Sequence, residues 1–145
     1  DNPQNHWKSK AGLFTTIRNI LMTTLSKILP IKMKNSLLRK IGVEVGRDTA
    51  IALGVQLDIF FPEKISIGCN SVIGYGATIL THETTTKRFS IGEVRIGEDV
   101  LIGANTTILP GVEIGDGATI SANSLVNRDV KPGEKVEGVP IRECE

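Results

Sequence analysis

Aliphatic residues recur every six positions over the last two-thirds of the chain, with small or turn-forming residues between them. A period of six does not fit a 3.6-residue helix and is too short for a repeating hairpin. It predicts an all-β solenoid of about four three-sided coils, with one short strand per side and the aliphatic side chains stacked inside. We expect the repeat to end at the last of four sets of three: Val45, Ile51, Leu57; Ile67, Ile73, Ile79; Ile96, Ile102, Ile108; Ile114, Ile120, Val126.

The six-residue frame breaks twice, each time after the third member of a set. Ile67 follows Leu57 by ten residues, and Ile96 follows Ile79 by seventeen. Both insertions therefore leave the solenoid at the same corner, in neighbouring coils. Insertions in repeat proteins map to one face, which is often the face that binds ligands. The spacing thus predicts a functional site at this corner.

A helical period precedes the solenoid. Apolar residues within 11–29 form an i, i+3, i+4, i+7 stripe, Pro30 ends this helix, and 33–41 can form a second one. We interpret residues 1–43 as a helical cap segment and residues 44–145 as the β-helix domain. The apolar stripe is predicted to pack on the solenoid and cover its open strand edges.

The charge of this segment supports an alternative role. Residues 1–43 carry eight Lys or Arg and one Asp, a net charge of +7. Residues 44–145 carry nine Lys or Arg and fifteen Asp or Glu, a net charge of −6, which argues against nucleic-acid binding. A basic amphipathic helix can lie on a membrane surface, so peripheral membrane contact is the alternative. The basic residues close to the stripe are Lys27, Lys32, Lys34, Arg39 and Lys40.

The cysteines and the lack of a targeting signal point to a compartment. Cys69 and Cys144 are far apart in the sequence and form no metal or redox motif, so we interpret them as free thiols. We find no signal peptide and no apolar run of membrane-spanning length. From these features we expect a cytoplasmic protein.

The candidate chemistry centres on His82, the only histidine in the repeat region, which lies at the start of the longer insertion. Asp58 occupies the same corner one coil earlier and is predicted to hold the imidazole. A carboxylate that binds Nδ1–H leaves Nε2 free to accept a proton near neutral pH. Glu83 is the alternative orienting carboxylate, and Asp58 is alternatively a turn residue that bonds its own backbone.

Two aromatic residues, Phe60 and Phe61, stand in the first insertion of a chain that is poor in aromatics. They are expected either to close the solenoid corner or to wall a pocket. No Ser-His-Asp or Cys-His constellation is evident, so the sequence indicates no covalent nucleophile.

Four stretches of the chain resemble one known family. They read ILTH at 79–82, VLIGANTTILPGV at 100–112, LVNRDV at 125–130 and GVPIR at 138–142. Together they resemble the hexapeptide-repeat acyltransferases with a left-handed parallel β-helix, the group that includes maltose, galactoside and xenobiotic acetyltransferases. The resemblance covers about residues 45–142.

This resemblance implies a homotrimer that binds acetyl-CoA in a groove between subunits, without a metal. It implies that His82 is the general base for direct attack of an acceptor hydroxyl or amine on the thioester. By position, Ala104 and Ala122 would face the pantetheine arm. Asn127 and Arg128 would lie near the adenosine end, and Arg142 would meet a CoA phosphate.

The chain also departs from the sugar acetyltransferases. Many of them carry an aromatic residue where this chain has Leu101 and a lysine where it has Arg128, and in the maltose group a proline follows the histidine where this chain has Glu83. Despite these departures, we predict an O-acetyltransferase acting on a sugar or glycan hydroxyl, with N-acetylation of an amine as the alternative. The other functions considered are a non-catalytic β-helix scaffold and a zinc carbonic anhydrase. The latter needs three histidines, and this chain has only His6 and His82.

Overall fold

The structure is a computed structural model that describes residues 10–144, and His6 lies outside them. Two helices, α1 (Leu13–Ser26) and α2 (Ile31–Lys40), precede a series of short strands. The strands are β1 (Glu44–Val45), β2 (Ala50–Ile51), β3 (Gln56–Leu57), β4 (Ile65–Ile67), β5 (Val72–Ile73), β6 (Thr78–Ile79), β7 (His82–Thr84), β8 (Phe89–Ile91), β9 (Val94–Ile96), β10 (Leu101–Ile102), β11 (Thr107–Ile108), β12 (Glu113–Ile114), β13 (Thr119–Ile120), β14 (Leu125–Val126), β15 (Lys135–Glu137) and β16 (Arg142–Glu143).

Three parallel sheets form the three sides of a left-handed β-helix. Side one has the strand order β1-β4-β9-β12, side two has β2-β5-β10-β13-β15 with β16 antiparallel at its edge, and side three has β3-β6-β11-β14. The predicted frame is confirmed, because members of successive sets pair directly across each sheet. On side two the column runs Ile51, Ile73, Ile102, Ile120. These four side chains are at most 1 % exposed.

The repeat continues past Val126, so the expectation that it ends there was wrong. Val130 bridges to Ile114 on side one, and Val136 pairs with Ile120 on side two. Both valines are buried and six residues apart, as the frame requires. The shortened corner between Val126 and Val130 hides this incomplete fifth coil from the sequence pattern.

The small residues between the aliphatic positions are explained by the close approach of neighbouring coils. A Cβ placed on Gly103 would lie 2.3 Å from the backbone nitrogen of Ala122 in the next coil. Other corner residues adopt a left-handed backbone with φ near 55–59°, which Asn and Asp tolerate better than other non-glycine residues. These residues are Asp48, Asn70, Asp99, Asn105 and Asn123.

Helix α2 covers the open edge of the first coil. The N–H groups of that coil donate to the second coil, for example from Ala52 to Ile73 at 2.9 Å, which leaves first-coil carbonyls without a strand partner. Lys34 Nζ donates to the carbonyls of Ile51 and Ala52 at 3.0 and 2.8 Å. Burial lowers the pKa of Lys34. The lysine thus acts as an edge cap and is not part of a surface cation cluster.

Two further α2 side chains cap the same edge. Asn35 Nδ2 donates to the Thr49 carbonyl at 2.7 Å, and Arg39 donates to the Val45 carbonyl at 2.8 Å. Leu38 packs into the solenoid core at 1 % exposure. Polar side chains therefore satisfy the backbone of the edge while one apolar side chain closes the core.

Helix α1 turns the opposite face to the solenoid from the one that the sequence predicts. Its buried side chains are polar: Thr16, Asn19, Thr23 and Ser26. Asn19 Nδ2 donates to the carbonyl of Ile59 at 2.9 Å, and Thr23 Oγ1 donates to the Asn19 carbonyl at 2.7 Å. The apolar stripe faces away from the solenoid, with Phe14 92 % exposed. Neither described helix is long and apolar enough to cross a bilayer.

Candidate active site

The two insertions meet at one corner, as their spacing predicts, and Asp58 joins them. Asp58 follows strand β3, and its buried carboxylate accepts hydrogen bonds through Oδ1 from the N–H groups of Phe60 and Phe61, at 2.9 and 3.1 Å. Oδ2 accepts from the N–H groups of Thr81 and His82, at 3.0 and 3.2 Å. Asp58 is therefore a turn residue that also fixes the start of the second insertion.

The same carboxylate contacts the imidazole. Asp58 Oδ2 lies 2.5 Å from His82 Nδ1. Burial of Asp58 opposes its ionisation, but the hydrogen bond from His82 and those from the Thr81 and Phe61 N–H groups outweigh it and lower the Asp58 pKa. An ionised carboxylate at this position selects the tautomer with hydrogen on Nδ1. Nε2 then lies on the far side of the ring, and the His82 side chain is 22 % exposed.

The second insertion is a β-hairpin. Strands β7 and β8 pair antiparallel, with His82 opposite Ile91 and Thr84 opposite Phe89. The hairpin is anchored by the Gly92 N–H, which donates to the Thr81 carbonyl at 2.9 Å. Glu83 lies between His82 and Thr84, so its side chain points to the opposite face of the hairpin, where it is exposed. The structure brings Asp58 to the imidazole and places Glu83 away from it.

Aromatic rings surround the imidazole on several sides. The His82 ring lies 4.9 Å from the Phe60 ring, edge to face, and 5.8 Å from the Phe89 ring, stacked at 23°. Phe61 is buried behind them, 6.1 Å from Phe89. Phe60 and Phe61 thus fill both roles considered from the sequence, since Phe61 closes the corner and Phe60 walls the site.

Phe89 was missed in the sequence interpretation. Residues opposite each other in an antiparallel pair share a face, and so do residues two apart on one strand. A hairpin turn at 85–88 therefore puts Phe89 on the His82 face. The sequence signal for this hairpin was the polar run before the turn. That run is recognisable as part of a hairpin only once the pairing of the two strands is known.

The predicted donor-binding residues are divided between two corners. Ala104 and Ala122 follow β10 and β13, at the corner between sides two and three, and the Asn123 N–H donates to the Ala104 carbonyl at 2.9 Å. Asn127 and Arg128 follow β14, at the corner between sides three and one, where His82 also lies. The structure of one chain therefore does not bring Ala104 and Ala122 together with His82.

The two predicted arginines differ in their surroundings. Arg128 donates to the carboxylate of Glu134 at 3.0 Å and to the Asp129 carbonyl at 2.9 Å. Arg142 lies on β16, opposite Glu137, and its side chain is exposed. Arg128 is thus held in an ion pair, whereas the Arg142 side chain is exposed at the edge of side two.

Comparisons with known proteins agree with this fold. The family described as "Bacterial transferase hexapeptide (six repeats)" matches residues 93–128. The chain is 51 % identical over 128 residues to "Putative acetyltransferase YvoF" of Bacillus subtilis, covering 87 % of this chain and 74 % of that protein.

Two solved structures show the same fold at low sequence identity. A hexapeptide-repeat-containing acetyltransferase of Vibrio cholerae, solved in complex with acetyl-CoA, superposes with a TM-score of 0.73 at 23 % identity, covering 97 % of this chain and 87 % of that one. A maltose O-acetyltransferase of Clostridium difficile superposes with a TM-score of 0.72 at 20 % identity, covering 92 % and 86 %.

Proposed function

The chain belongs to the hexapeptide-repeat acetyltransferases, and on that basis we propose that it moves an acetyl group from acetyl-CoA to a sugar or glycan hydroxyl, with His82 as general base. The observation that carries this proposal is the contact between His82 Nδ1 and the buried, ionised carboxylate of Asp58. The acetyl-CoA complex of the Vibrio cholerae protein supports the donor. The fold shared with a maltose O-acetyltransferase supports the acceptor.

The proposed reaction needs one proton carrier and no covalent enzyme intermediate. His82 Nε2 takes the proton of the acceptor hydroxyl as its oxygen attacks the thioester carbonyl carbon. The carbon–sulfur bond then breaks, and the departing CoA sulfur receives the proton from the imidazolium. Asp58 stabilises the imidazolium across Nδ1 while it exists, because a buried anion interacts more strongly with a cation than a solvated one does.

The aromatic wall supports a sugar as acceptor. Phe60 and Phe89 flank the imidazole and exclude water from one side of it. The C–H groups of a pyranose that reaches Nε2 would contact the exposed part of this wall, while one of its hydroxyls meets the imidazole. A small amine would gain less from the same wall.

The experiment that tests the proposed function is a thiol-release screen with acetyl-CoA over sugars, amino sugars and small amines. We expect release with a sugar hydroxyl acceptor, and mass spectrometry of the product should show an ester that mild base removes. A base-stable amide product would assign N-acetylation instead. Acetyl-CoA that is not consumed with any member of the panel would contradict a sugar acceptor.

The donor site is proposed to form between subunits of a homotrimer. Ala104 and Ala122 lie one side of the prism away from His82, so His82 of one subunit would face them on the next. The outer surface of side two and its following corner carry exposed apolar side chains that suit a subunit contact. They are Leu53, Val72, Tyr75 and Leu101.

This assembly predicts a trimer in sedimentation at micromolar protein. Tyr75→Glu combined with Leu101→Glu should dissociate it, because each carboxylate would lose its water in the contact. The dissociated variant should also lose acetyl-CoA binding. A wild-type chain that sediments as a stable monomer would contradict both the trimer and a donor groove between subunits.

A further inference from the structure

The outward face of α1 is an apolar surface, and the polar face of the same helix is packed against the solenoid. The buried face is held by hydroxyl and amide side chains, of which Asn19 bonds the solenoid directly through the Ile59 carbonyl. The opposite face is exposed and continuous along the helix. It consists of Leu13, Phe14, Ile17, Ile20, Leu21 and Leu25.

A groove between α1 and α2 extends this surface. Its lining is mainly apolar, and two lysines stand at its margin. The groove is lined by Leu25, Leu29, Met33 and Leu37 together with Ser36, Lys32 and Lys40. The exposed apolar surface therefore spans both helices and is not a single side chain.

The charges around this surface have one sign. The sequence contains no Asp or Glu from residue 2 to residue 43. Of the cations on the described helices, Lys34 and Arg39 are bound to first-coil carbonyls. Those remaining at the surface of this region are Lys10, Arg18, Lys27, Lys32 and Lys40. By the 3.6-residue period, Arg18 and Lys27 fall at opposite edges of the apolar face of α1.

We propose that the α1–α2 surface docks on an anionic lipid bilayer. Apolar side chains that enter the headgroup boundary, with cations at their edges, are the combination by which an interfacial helix binds such a membrane. A second copy of this chain is a poorer occupant of a two-fold contact, since cations would meet cations with no carboxylate from the same helices between them. The solenoid also carries a separate apolar surface for subunits, around Tyr75 and Leu101.

Helix α1, which carries the docking surface, adjoins the candidate active site through its opposite, buried face. Asn19 of α1 bonds Ile59 in the first insertion, and Lys10 Nζ lies 5.7 Å from the centre of the Phe89 ring. A bilayer bound by the outward face of α1 would therefore lie across this helix from the His82 site. Resting on the proposed function, this placement suits an acceptor glycan that is itself attached to a lipid or held at the envelope.

The test is co-sedimentation of the full chain with vesicles of phosphatidylcholine, with and without phosphatidylglycerol. We expect binding to the vesicles that contain phosphatidylglycerol, and weaker binding as salt rises. Phe14→Ser combined with Leu21→Ser should lower the partition coefficient by about 100-fold, because burial of each large apolar side chain changes a transfer equilibrium by about tenfold or more.

A matched pair of lysine variants tests the charge. Lys27→Gln combined with Lys32→Gln should weaken vesicle binding by about fivefold per lysine. Lys131→Gln combined with Lys135→Gln removes the same charge from the solenoid and should leave binding nearly unchanged. His82→Ala should bind vesicles like the wild type, so failure of docking and failure of the proposed chemistry are separable.

Three results would overturn the proposal. The first is no binding to vesicles that contain phosphatidylglycerol. The second is a Phe14→Ser, Leu21→Ser variant that binds them as tightly as the wild type. The third is a changed sedimentation coefficient for that variant without lipid, which would show that a second copy covers the face.

Discussion

Replacing His82 with alanine is expected to lower kcat by about 10²–10⁴-fold, the usual contribution of a positioned general base. A hydroxyl is a poor nucleophile at neutral pH, and Nε2 is the group placed to take its proton once Asp58 holds Nδ1. The KM for acetyl-CoA should change little, because the base touches the acceptor proton. Steady-state thiol release measures both constants, and sedimentation with circular dichroism confirms the folded assembly.

Two carboxylate variants test whether Asp58 orients the imidazole or whether any negative charge near His82 would serve. Asp58→Asn should lower kcat, since the amide is neutral and no longer selects the same tautomer. The loss should be smaller than for His82→Ala, because the imidazole itself is kept. Glu83→Gln should be close to neutral, because Glu83 is exposed on the other face of the hairpin. An active His82→Ala enzyme would contradict the mechanism. A larger loss of kcat from Glu83→Gln than from Asp58→Asn would assign the orienting role to Glu83.

The second large effect concerns the stacked isoleucine column. Ile102→Ala should lower the free energy of unfolding by about 2–5 kcal/mol, the range for truncating a fully buried side chain. Ile102 is 0 % exposed and is paired with Ile73 on one side and Ile120 on the other, so neither neighbour can move in to fill the cavity without breaking the coil spacing.

Denaturant unfolding at matched protomer concentration measures this loss. Glu113→Ala is the control, because Glu113 lies next to the core residue Ile114 on its strand but points outward and is exposed, away from the proposed subunit contact. It should cost clearly less than Ile102→Ala in an unfolding experiment. Equal losses for the two variants would contradict the inward column on which the fold depends.

The solenoid was predictable because its core is built by stacking similar coils along a single axis. Each coil contacts only its neighbours, so one residue in six is fixed by the same local constraint throughout. The four predicted sets pair as expected, and the two breaks in the frame marked the corner where Asp58 meets His82. The fifth coil was missed because Val130 follows Val126 by four positions and not by six, so the six-residue period no longer marks it.

The position of Asp58 next to His82 was also within reach of the sequence. Both follow the third member of a set, so coil stacking alone brings their backbones together. The sequence did not choose between Asp58 and Glu83, since both carboxylates are close to His82 in space or in sequence. The hairpin decides it, because alternation along β7 turns Glu83 away. The same pairing brings Phe89 to the imidazole across seven residues.

The sequence by itself determined the coils, their stacking frame, the corner of the site and the existence of an amphipathic helix. These follow from periodicity, which local sequence expresses directly. Only the tertiary structure decided which face of α1 meets the solenoid. The periodicity shows that one face of the helix is apolar, but it does not show which surface that face contacts. The first-coil edge offers carbonyl groups, so it selects Lys34, Asn35 and Arg39 from α2. Asn19 of α1 likewise bonds the Ile59 carbonyl, and the apolar stripe remains outside.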